Sequence, residues 1–527
     1  MMESFTPTDV PELREIIKTS GIKTAFHDIL PAKILKQVIE ELLPHICELV
    51  NKSLLTGSAE GMKESIIIPL LKKTGLDPDI LKNYRPVANL LFLSQLTQRV
   101  VFRRLDKHMG CNNLHIKYQH GYKKFHSSET LLLHVVNDIF IAMDSGSGVI
   151  LLLIDLSAAF DTVDVDLMLD ILESEIGVTG VASRWFGSFL RDRNQRVLIE
   201  NTLSDASSAH FGVPQGSILG PVLFNIYCRS LFSVIEKCGF STSGYADDNN
   251  AHFSFALPFQ YSIITQKLPY LMDQITQWMN RHFLKINPDK TEVIFFIPKN
   301  LQNENMINGC FLDNNCIRFS NVVKNLGFKL DRFLDMDHQV NGIVSHCYKL
   351  ISDVRQYRHL LCDKDTELLM HAMVSSRIDY CNSLFVGAPK EIICKMQKVQ
   401  NAAVRLIVKK SKRQSVRVDL CNLHWLRVEE RIIFKLLTLT FKCYHGIAPD
   451  HLCNLITIRD AEHFVLQNVY VQNLYGRRTF MYNAPRYWNA LPIDVRSEIR
   501  LEVFKRLTKH LLFNNFGDLK RKAFMYT

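Results

Sequence analysis

Two carboxylates side by side at the tip of a short hairpin pattern constrain this chain more than any other feature. The segment reads Gly244-Tyr245-Ala246-Asp247-Asp248-Asn249-Asn250 and runs on into Ala251-His252-Phe253-Ser254-Phe255. Period-two alternation on both sides of a polar tip predicts a β-hairpin with the acids at its turn. Adjacent carboxylates repel one another. Such a turn is therefore either a solvated Asx turn or a place where a cation sits.

A further acid closes a second predicted strand. Gly148-Val-Ile-Leu-Leu-Leu-Ile-Asp155 is a continuous apolar run, as expected of a strand buried on both faces. An acid at the end of such a strand is costly unless compensated. The chain then turns through small residues to Phe160 and Asp161; Asp161 and Asp164 fall near a helix start, where acids are commonplace. If the two strands are neighbours in one sheet, Asp155, Asp247 and Asp248 converge. Each unscreened pair at about 4 Å then repels by about 4 kcal/mol at an effective dielectric of about 20. Divalent cations remove that repulsion, and oxygen donors beside a phosphate substrate select Mg²⁺ over zinc.

The other segments supply cations and loops. Residues 1–60 have helical periodicity. A short strand over Ser65–Leu71 ends in Lys72 and Lys73, and Asn83-Tyr84-Arg85-Pro86 follows. These cations suit a triphosphate, or are plain turn charges. The loop around Lys123 and Lys124 interleaves cations with aromatics, a pattern that suits a nucleic-acid strand; Ser127 or Ser128 caps a helix expected over Glu129–Met143. Phe211-Gly212-Val-Pro-Gln215-Gly216-Ser217 is a loop whose glycines permit close backbone approach. Single helices are expected over Val222–Ile235 and Ser262–Phe283. Asn287-Pro-Asp-Lys290 reads as a turn into a strand, residues 299–316 as a hairpin excursion, and Asn325–Asp331 as a strand and turn. Beyond residue 335 the pattern is helical only, with helices over Asp365–Asp379, Pro389–Lys410, Val428–Tyr444 and Leu501–Phe513.

The net charge of +10 is unevenly spread: residues 341–527 hold 30 Lys and Arg against 16 Asp and Glu, and residues 1–340 hold 33 against 37. Lys395, Lys398, Arg405, Lys409 and Lys410 cluster on the helix at 389–410 and its end. This is either a polyanion-gripping surface or a set of solvated helix faces. The 13 cysteines are scattered without zinc-ligand spacing, as expected of a reduced intracellular protein, cytoplasmic or nuclear. No apolar run reaches membrane-spanning length and no secretory signal pattern opens the chain, so no membrane partner is expected.

Leu-Ile-Asp155-Leu-Ser-Ala-Ala-Phe160-Asp161, Gly212-Val-Pro-Gln-Gly-Ser217 and Tyr245-Ala-Asp-Asp248, in that order, resemble the palm motifs of reverse transcriptases. Asn83-Tyr-Arg-Pro86, Asn287-Pro-Asp-Lys290, Leu326-Gly327, Leu423-His-Trp425 and Ala484-Pro-Arg-Tyr-Trp488 resemble the polymerase region of non-LTR (LINE-type) retrotransposons.

The resemblance implies an α+β right-hand polymerase with an antiparallel palm sheet and a helical C-terminal part. Its parts would be an N-terminal helical extension (1–60), fingers (61–145), a catalytic palm (146–332), a helical thumb (333–456) and a basic C-terminal region (457–527). It implies RNA-templated DNA synthesis from a DNA primer and dNTPs, with two Mg²⁺ ions, or Mn²⁺ in their place, on Asp155, Asp247 and Asp248. Phe160 would be the steric gate against ribonucleotides. Lys72, Lys73 and Arg85 would face the triphosphate, Gln215 and Gly216 would line the template–nucleotide pocket, and Lys290 would stabilise charge or donate a proton. Leu326, Gly327 and Phe328 would form the primer grip.

The family's usual endonuclease is expected in trans, since neither common type is read in this sequence. Gly61-Met62-Lys63 stands where the family carries a tryptophan, and Arg427 where it carries a proline. These departures keep a second reading open: a catalytically silent, co-opted or decaying nucleic-acid-binding remnant.

Overall fold

Seven consecutive apolar residues with no alternation need cover on both faces, and the central strand of the larger antiparallel sheet provides it. The computed structural model describes residues 1–156, 160–257, 262–301, 309–312 and 315–525. Its strands are β1 (Ser65–Leu71), β2 (Tyr84–Leu90), β3 (Gly148–Ile154), β4 (Arg193–Ile199), β5 (Thr202–Leu203), β6 (Ser207–Ala209), β7 (Ser241–Tyr245), β8 (Asp248–Phe255), β9 (Glu292–Phe296), β10 (Gly309–Leu312), β11 (Asn315–Arg318), β12 (Val322–Asn325), β13 (Phe328–Asp331), β14 (Ile458–Asp460) and β15 (Val465–Leu466). With the helices between and after them they make an α+β protein.

Two units, each discontinuous in sequence, divide the chain: Met1–Tyr122, Asp155–Cys238 and Leu271–Asn287 in the first, Lys123–Ile154, Gly239–Tyr270 and Pro288–Thr527 in the second. The first unit holds a mixed sheet in the order β2-β1-β4-β5, with β6 also on β4. β1 pairs antiparallel with β2 and parallel with β4. The helix Val10–Ser20 has Asp9 as its N-cap and a proline in its first turn, as the sequence leads one to expect. Arg104 fastens it through Glu12 at 2.6 Å, and this pairing pulls the Glu12 carboxyl down to about 2.

The second unit holds the sheet β7-β8-β3-β9, antiparallel throughout. Val149, Leu151 and Leu153 on one face of β3 pack with Leu132, Val136 and Phe140 of the helix Ser128–Asp144 in one core that runs on into the C-terminal helices. Ser127 and Thr130 close that helix's N-terminus as a reciprocal capping box. At its other end the Asp144 carboxylate accepts from the backbone N–H groups of Gln472, Asn473 and Gly476, at 2.8, 2.7 and 2.8 Å. Trp488 is fully buried between Tyr444 and Phe504, with ring centroids 5.4 and 5.7 Å away.

Several element boundaries differ from expectation. The helix expected over Val222–Ile235 is two, Gly220–Tyr227 and Arg229–Lys237, broken at Cys228. The helix from Ser262 opens as a wide turn over Ile263–Lys267 before Leu268–Arg281. A similar wide turn, His371–Ser375, interrupts the helical run Asp363–Asp379. Beyond residue 335 the chain is not helical only: β14 and β15 pair there, too short for periodicity to register. The last helix runs to Ala523, bent at Asn515, because Leu519 and Ala523 are also buried. β10 pairs antiparallel with β11, and β12 with β13, in the segments read as a hairpin excursion and as a strand and turn.

Candidate active site

The hairpin turn is tighter than its polar sequence suggests. Tyr245 pairs with Asp248, so only Ala246 and Asp247 form the turn, and Asp248, Asn249 and Asn250 already belong to β8. Ala246 is buried at φ 58°, a left-handed conformation that costs a residue with a Cβ about 1–2 kcal/mol. Asp247 and Asp248 are exposed beyond it. Strain of this kind is kept where the surroundings over-determine it, and it aims two adjacent acids outward.

Register brings the other acid's strand alongside. Ile154, the last paired residue of β3, stands opposite Asn249, and Asp155 is the next residue in the chain. On the other side of β3, Glu292 of β9 pairs with Leu153. The exposed Lys290 lies in the turn just before it. Asp155 is held through its backbone, its carbonyl accepting from Asn287 N–H at 2.9 Å. Asp247, Asp248 and Lys290 thus share the sheet end at which β3 runs into Asp155.

Hard oxygen donors of this type suit Mg²⁺ or Mn²⁺. Among the described residues no group of three His, Cys, Asp or Glu side chains is drawn together to metal-binding distance.

Behind the hairpin, Ser243, Asn249 and Asn250 are buried, and Ser243 Oγ, Asn249 Oδ1 and Asn250 Nδ2 have no hydrogen-bond partner among the described residues. The Asn249 amide donates to the Asp247 carbonyl at 3.2 Å. Sequence reading treats these asparagines as part of the exposed tip; the period-two pattern alone could have placed them in the strand.

The first unit brings Phe160, Gln215 and Gly216, expected to line a nucleotide pocket, together from separate segments. Phe160 is half-buried, its ring 4.6 Å from that of Phe224, and its carbonyl accepts from Val213 N–H at 2.9 Å. Gly212 sits at φ 78°, where a Cβ would lie 2.8 Å from the Phe160 carbonyl. Gly216 sits at φ 112°, where a Cβ would lie 2.6 Å from the Ala88 carbonyl. Between them Gln215 takes Ala88 N–H on its carbonyl at 2.6 Å and donates its side-chain amide to Asp161 at 2.8 Å. Both glycines are therefore required by backbone packing, as the loop composition suggests.

Two residues that sequence reasoning passed over belong to this assembly. Asp161, set aside as an ordinary helix-start acid, orients Gln215. Crowding raises its carboxyl above the usual range, while the Gln215 hydrogen bond and the Lys72 charge oppose the rise. Arg193 is buried and donates to the carbonyls of Leu190, Phe211 and Gly212 at 3.0, 2.7 and 2.6 Å. It fixes the glycine loop, and no local pattern marks it.

Lys72 donates its ammonium to the Lys82 carbonyl at 2.7 Å while also acting on Asp161. Lys73 and Arg85 are exposed near the junction of β1 and β2, where Leu70 pairs with Arg85.

In the second unit, the β12–β13 turn consists of Leu326 and Gly327, both at positive φ, 47° and 85°. The Tyr380 hydroxyl donates to the Leu326 carbonyl, and burial pushes its pKa up to about 12, so it remains a donor at working pH. Phe328 is a correction to the expected primer grip: its side chain is fully buried, 5.6 Å from the Phe385 ring, and anchors the hairpin. Of the expected trio only the Leu326–Gly327 tip reaches the surface.

The expected nucleic-acid cations fare unevenly. Lys123 and Lys124 lie in the loop before the helix Ser128–Asp144, with the Lys124 ammonium 4.9 Å over the Phe125 ring. The C-terminal helix runs Lys390–Ile407, so Lys409 and Lys410 lie past its end. Lys395 pairs with Asp337 at 2.7 Å, Lys409 with Asp363 at 3.7 Å, and Lys410 with Asp419 at 2.6 Å. Arg405 donates to the Gln414 carbonyl at 3.0 Å, whereas Lys398 is exposed. Local acids thus neutralise much of the strip that the charge count singles out.

Residues 71–330 match the family model for reverse transcriptase (RNA-dependent DNA polymerase). The chain carries a reverse transcriptase domain. Its curated relatives include the probable RNA-directed DNA polymerase from transposon BS of Drosophila melanogaster, 25% identical over 76% of this chain and 44% of that protein. The RNA-directed DNA polymerase from mobile element jockey of the same organism is 25% identical over 63% of this chain and 36% of its own length. The probable polymerase from transposon X-element is 24% identical over 76% of this chain and 44% of that protein. The chain is thus homologous to the polymerases of non-LTR retrotransposons and spans less than half the length of these relatives. The matched residues run from the end of β1 into β13 and include Asp155, Asp161, Asp247, Asp248, Gly212, Gly216 and Gly327.

Proposed function

We propose that the chain is an RNA-templated DNA polymerase that extends a DNA primer's 3′-hydroxyl with dNTPs, with fingers (61–145), palm (146–332) and thumb (333–456). The observation that carries this is the register of β3 with β8, which sets Ile154 opposite Asn249 inside a reverse transcriptase domain. Asp155, Asp247 and Asp248 are the residues that would hold Mg²⁺. Two such ions, when bound, lower the pKa of the primer hydroxyl and offset charge on departing pyrophosphate.

The chain's own residues do the rest. Phe160 closes the space beside the sugar, and Gln215, oriented by Asp161, lines the pocket for the template–nucleotide pair. Lys72, Lys73 and Arg85 meet the triphosphate, and Lys290 carries compensating charge or a proton. The Leu326–Gly327 tip, braced by Tyr380, supports the primer end.

Primer extension on poly(A) with oligo(dT), dTTP and Mg²⁺ or Mn²⁺ tests this. Product from the wild type and none from Asp247→Ala is expected. No wild-type product, or equal product from the variant, leaves a non-catalytic nucleic-acid-binding protein instead. Phe160→Val is expected to raise ribonucleotide incorporation, and unchanged sugar selectivity removes the gate assignment.

A further inference from the structure

A cavity of about 1010 Å³ lies in the second unit at the end of β3 away from the acids. Met143 and Gly146, which lead into β3, and Pro298, which follows β9, form part of its wall. β3 has seven residues, so the cavity and the acid end are separated by about 20 Å.

The cavity is lined by Lys299, Arg477 and Arg478 and by the rings of Phe333, Tyr475 and Tyr482. Arg478 Nη1 donates to the Leu334 carbonyl at 2.7 Å, and its guanidinium lies 4.7 Å from the Phe140 ring centre. Its Nε and Nη2 are buried and have no hydrogen-bond partner among the described residues. The acids nearby lend Arg478 their charge but direct their hydrogen bonds elsewhere. Asp335 pairs with Lys299 at 2.8 Å, and Asp331 accepts from the N–H groups of Phe333, Asp335 and Met336.

A buried guanidinium with two unmet nitrogens is costly, and an anion entering the cavity would recover that cost. Guanidinium forks match phosphate oxygens in pairs. Tyrosine and phenylalanine faces beside them suit a base, which stacks on aromatics irrespective of its identity. An acidic peptide would meet the cations and leave those faces unused.

We propose that this cavity binds a nucleotide unit, its phosphate on Arg477 and Arg478 and its base against Tyr475 or Tyr482, at a site separate from the polymerase acids. The unit is either a free nucleotide or one residue of a single strand.

Ultraviolet cross-linking of the full chain to a short oligouridylate carrying 4-thiouridine, with adducts mapped by mass spectrometry, tests the assignment. Adducts are expected within residues 473–483 or at Phe333. Arg478→Gln is expected to reduce them about tenfold, the loss of a charged hydrogen bond. Arg477→Gln, at an exposed position, gives a smaller loss without altering the melting temperature. Asp247→Ala leaves these adducts intact, so they are scored independently of polymerisation. Competition by excess UMP identifies the free nucleotide as a ligand, and resistance to UMP identifies the strand. Adducts only outside these segments, or equal adducts in both arginine variants, overturn the proposal.

Discussion

At one end of β3 the chain exposes two adjacent carboxylates at a hairpin tip; at the other, seven residues away, it buries a guanidinium in an aromatic cavity. The first end suits cations and the second suits phosphate. They also differ in how they are built. The acid end comes from contiguous segments, a strand with its terminal residue and a hairpin with its turn. The cavity end is contributed by chain near residues 146, 298, 333 and 477 and by Phe524. Chemistry encoded locally can be read from sequence, whereas chemistry assembled from distant segments needs the fold.

The largest effect that would separate the two ends is on turnover. Asp247→Ala is expected to lower dTTP incorporation by about 10³-fold or more, the loss of several kcal/mol of charge stabilisation. Because Asp247 is exposed, the melting temperature should hold. A variant that also unfolds would mean that the turn is a structural feature first.

Next in size, Asp144→Ala strips three backbone N–H groups of their acceptor at the cavity end. About 3 kcal/mol of stability should be lost, read as a lower urea midpoint. An unchanged midpoint would make the cavity end looser than its hydrogen bonds indicate.

Between the ends, His451 packs 4.5 Å from the His134 ring, and His252 of β8 lies 3.3 Å from Asp138. Burial, with the charges of His134 and His126 adding to it and Asp138 opposing, holds His451 down to about 3. The folded chain keeps it neutral while the unfolded chain protonates it near its ordinary value of 6.5. Stability should therefore be intact above pH 6.5 and fall as pH drops towards 3, by about 1.4 kcal/mol per unit. His451→Leu should flatten that slope in urea titrations at successive pH values, and an unaltered slope would place the acid sensitivity elsewhere.

The smallest effect concerns the outlying cations. Lys398→Ala should reduce the salt dependence of single-strand binding by about 0.7 in log–log slope. Lys395→Ala, already paired with Asp337, should change it less and cost about 0.2–1 kcal/mol of stability.

Residue types explain which parts were legible from sequence. The β3 run, the Ala246–Asp247 turn and the capped helix Ser128–Asp144 follow from periodicity and end signals, and Gly212 and Gly216 from loop composition. Arg193 and Arg478 were not distinguishable from surface arginines, because burial depends on partners far along the chain. The cation cluster at 395–410 was misleading for the same reason: Asp337, Asp363 and Asp419 pair with lysines that look available from their spacing alone. Phe328 looked like part of a contact surface because its neighbours Leu326 and Gly327 form the exposed turn, while strand alternation turns it inward.

The Asp144 clamp has a consequence for the order of synthesis. Its donors lie 328 to 332 residues downstream. At about 5–20 residues per second, a ribosome would need roughly 15–65 s to deliver them after Asp144 has emerged. Throughout that interval β3 and its covering helix exist while the segment that seals their far end does not. The nascent chain thus holds β3 in an unfinished core, so a message interrupted before residue 472 would yield a protein with Asp155, Asp247 and Asp248 present and the sheet's other end open.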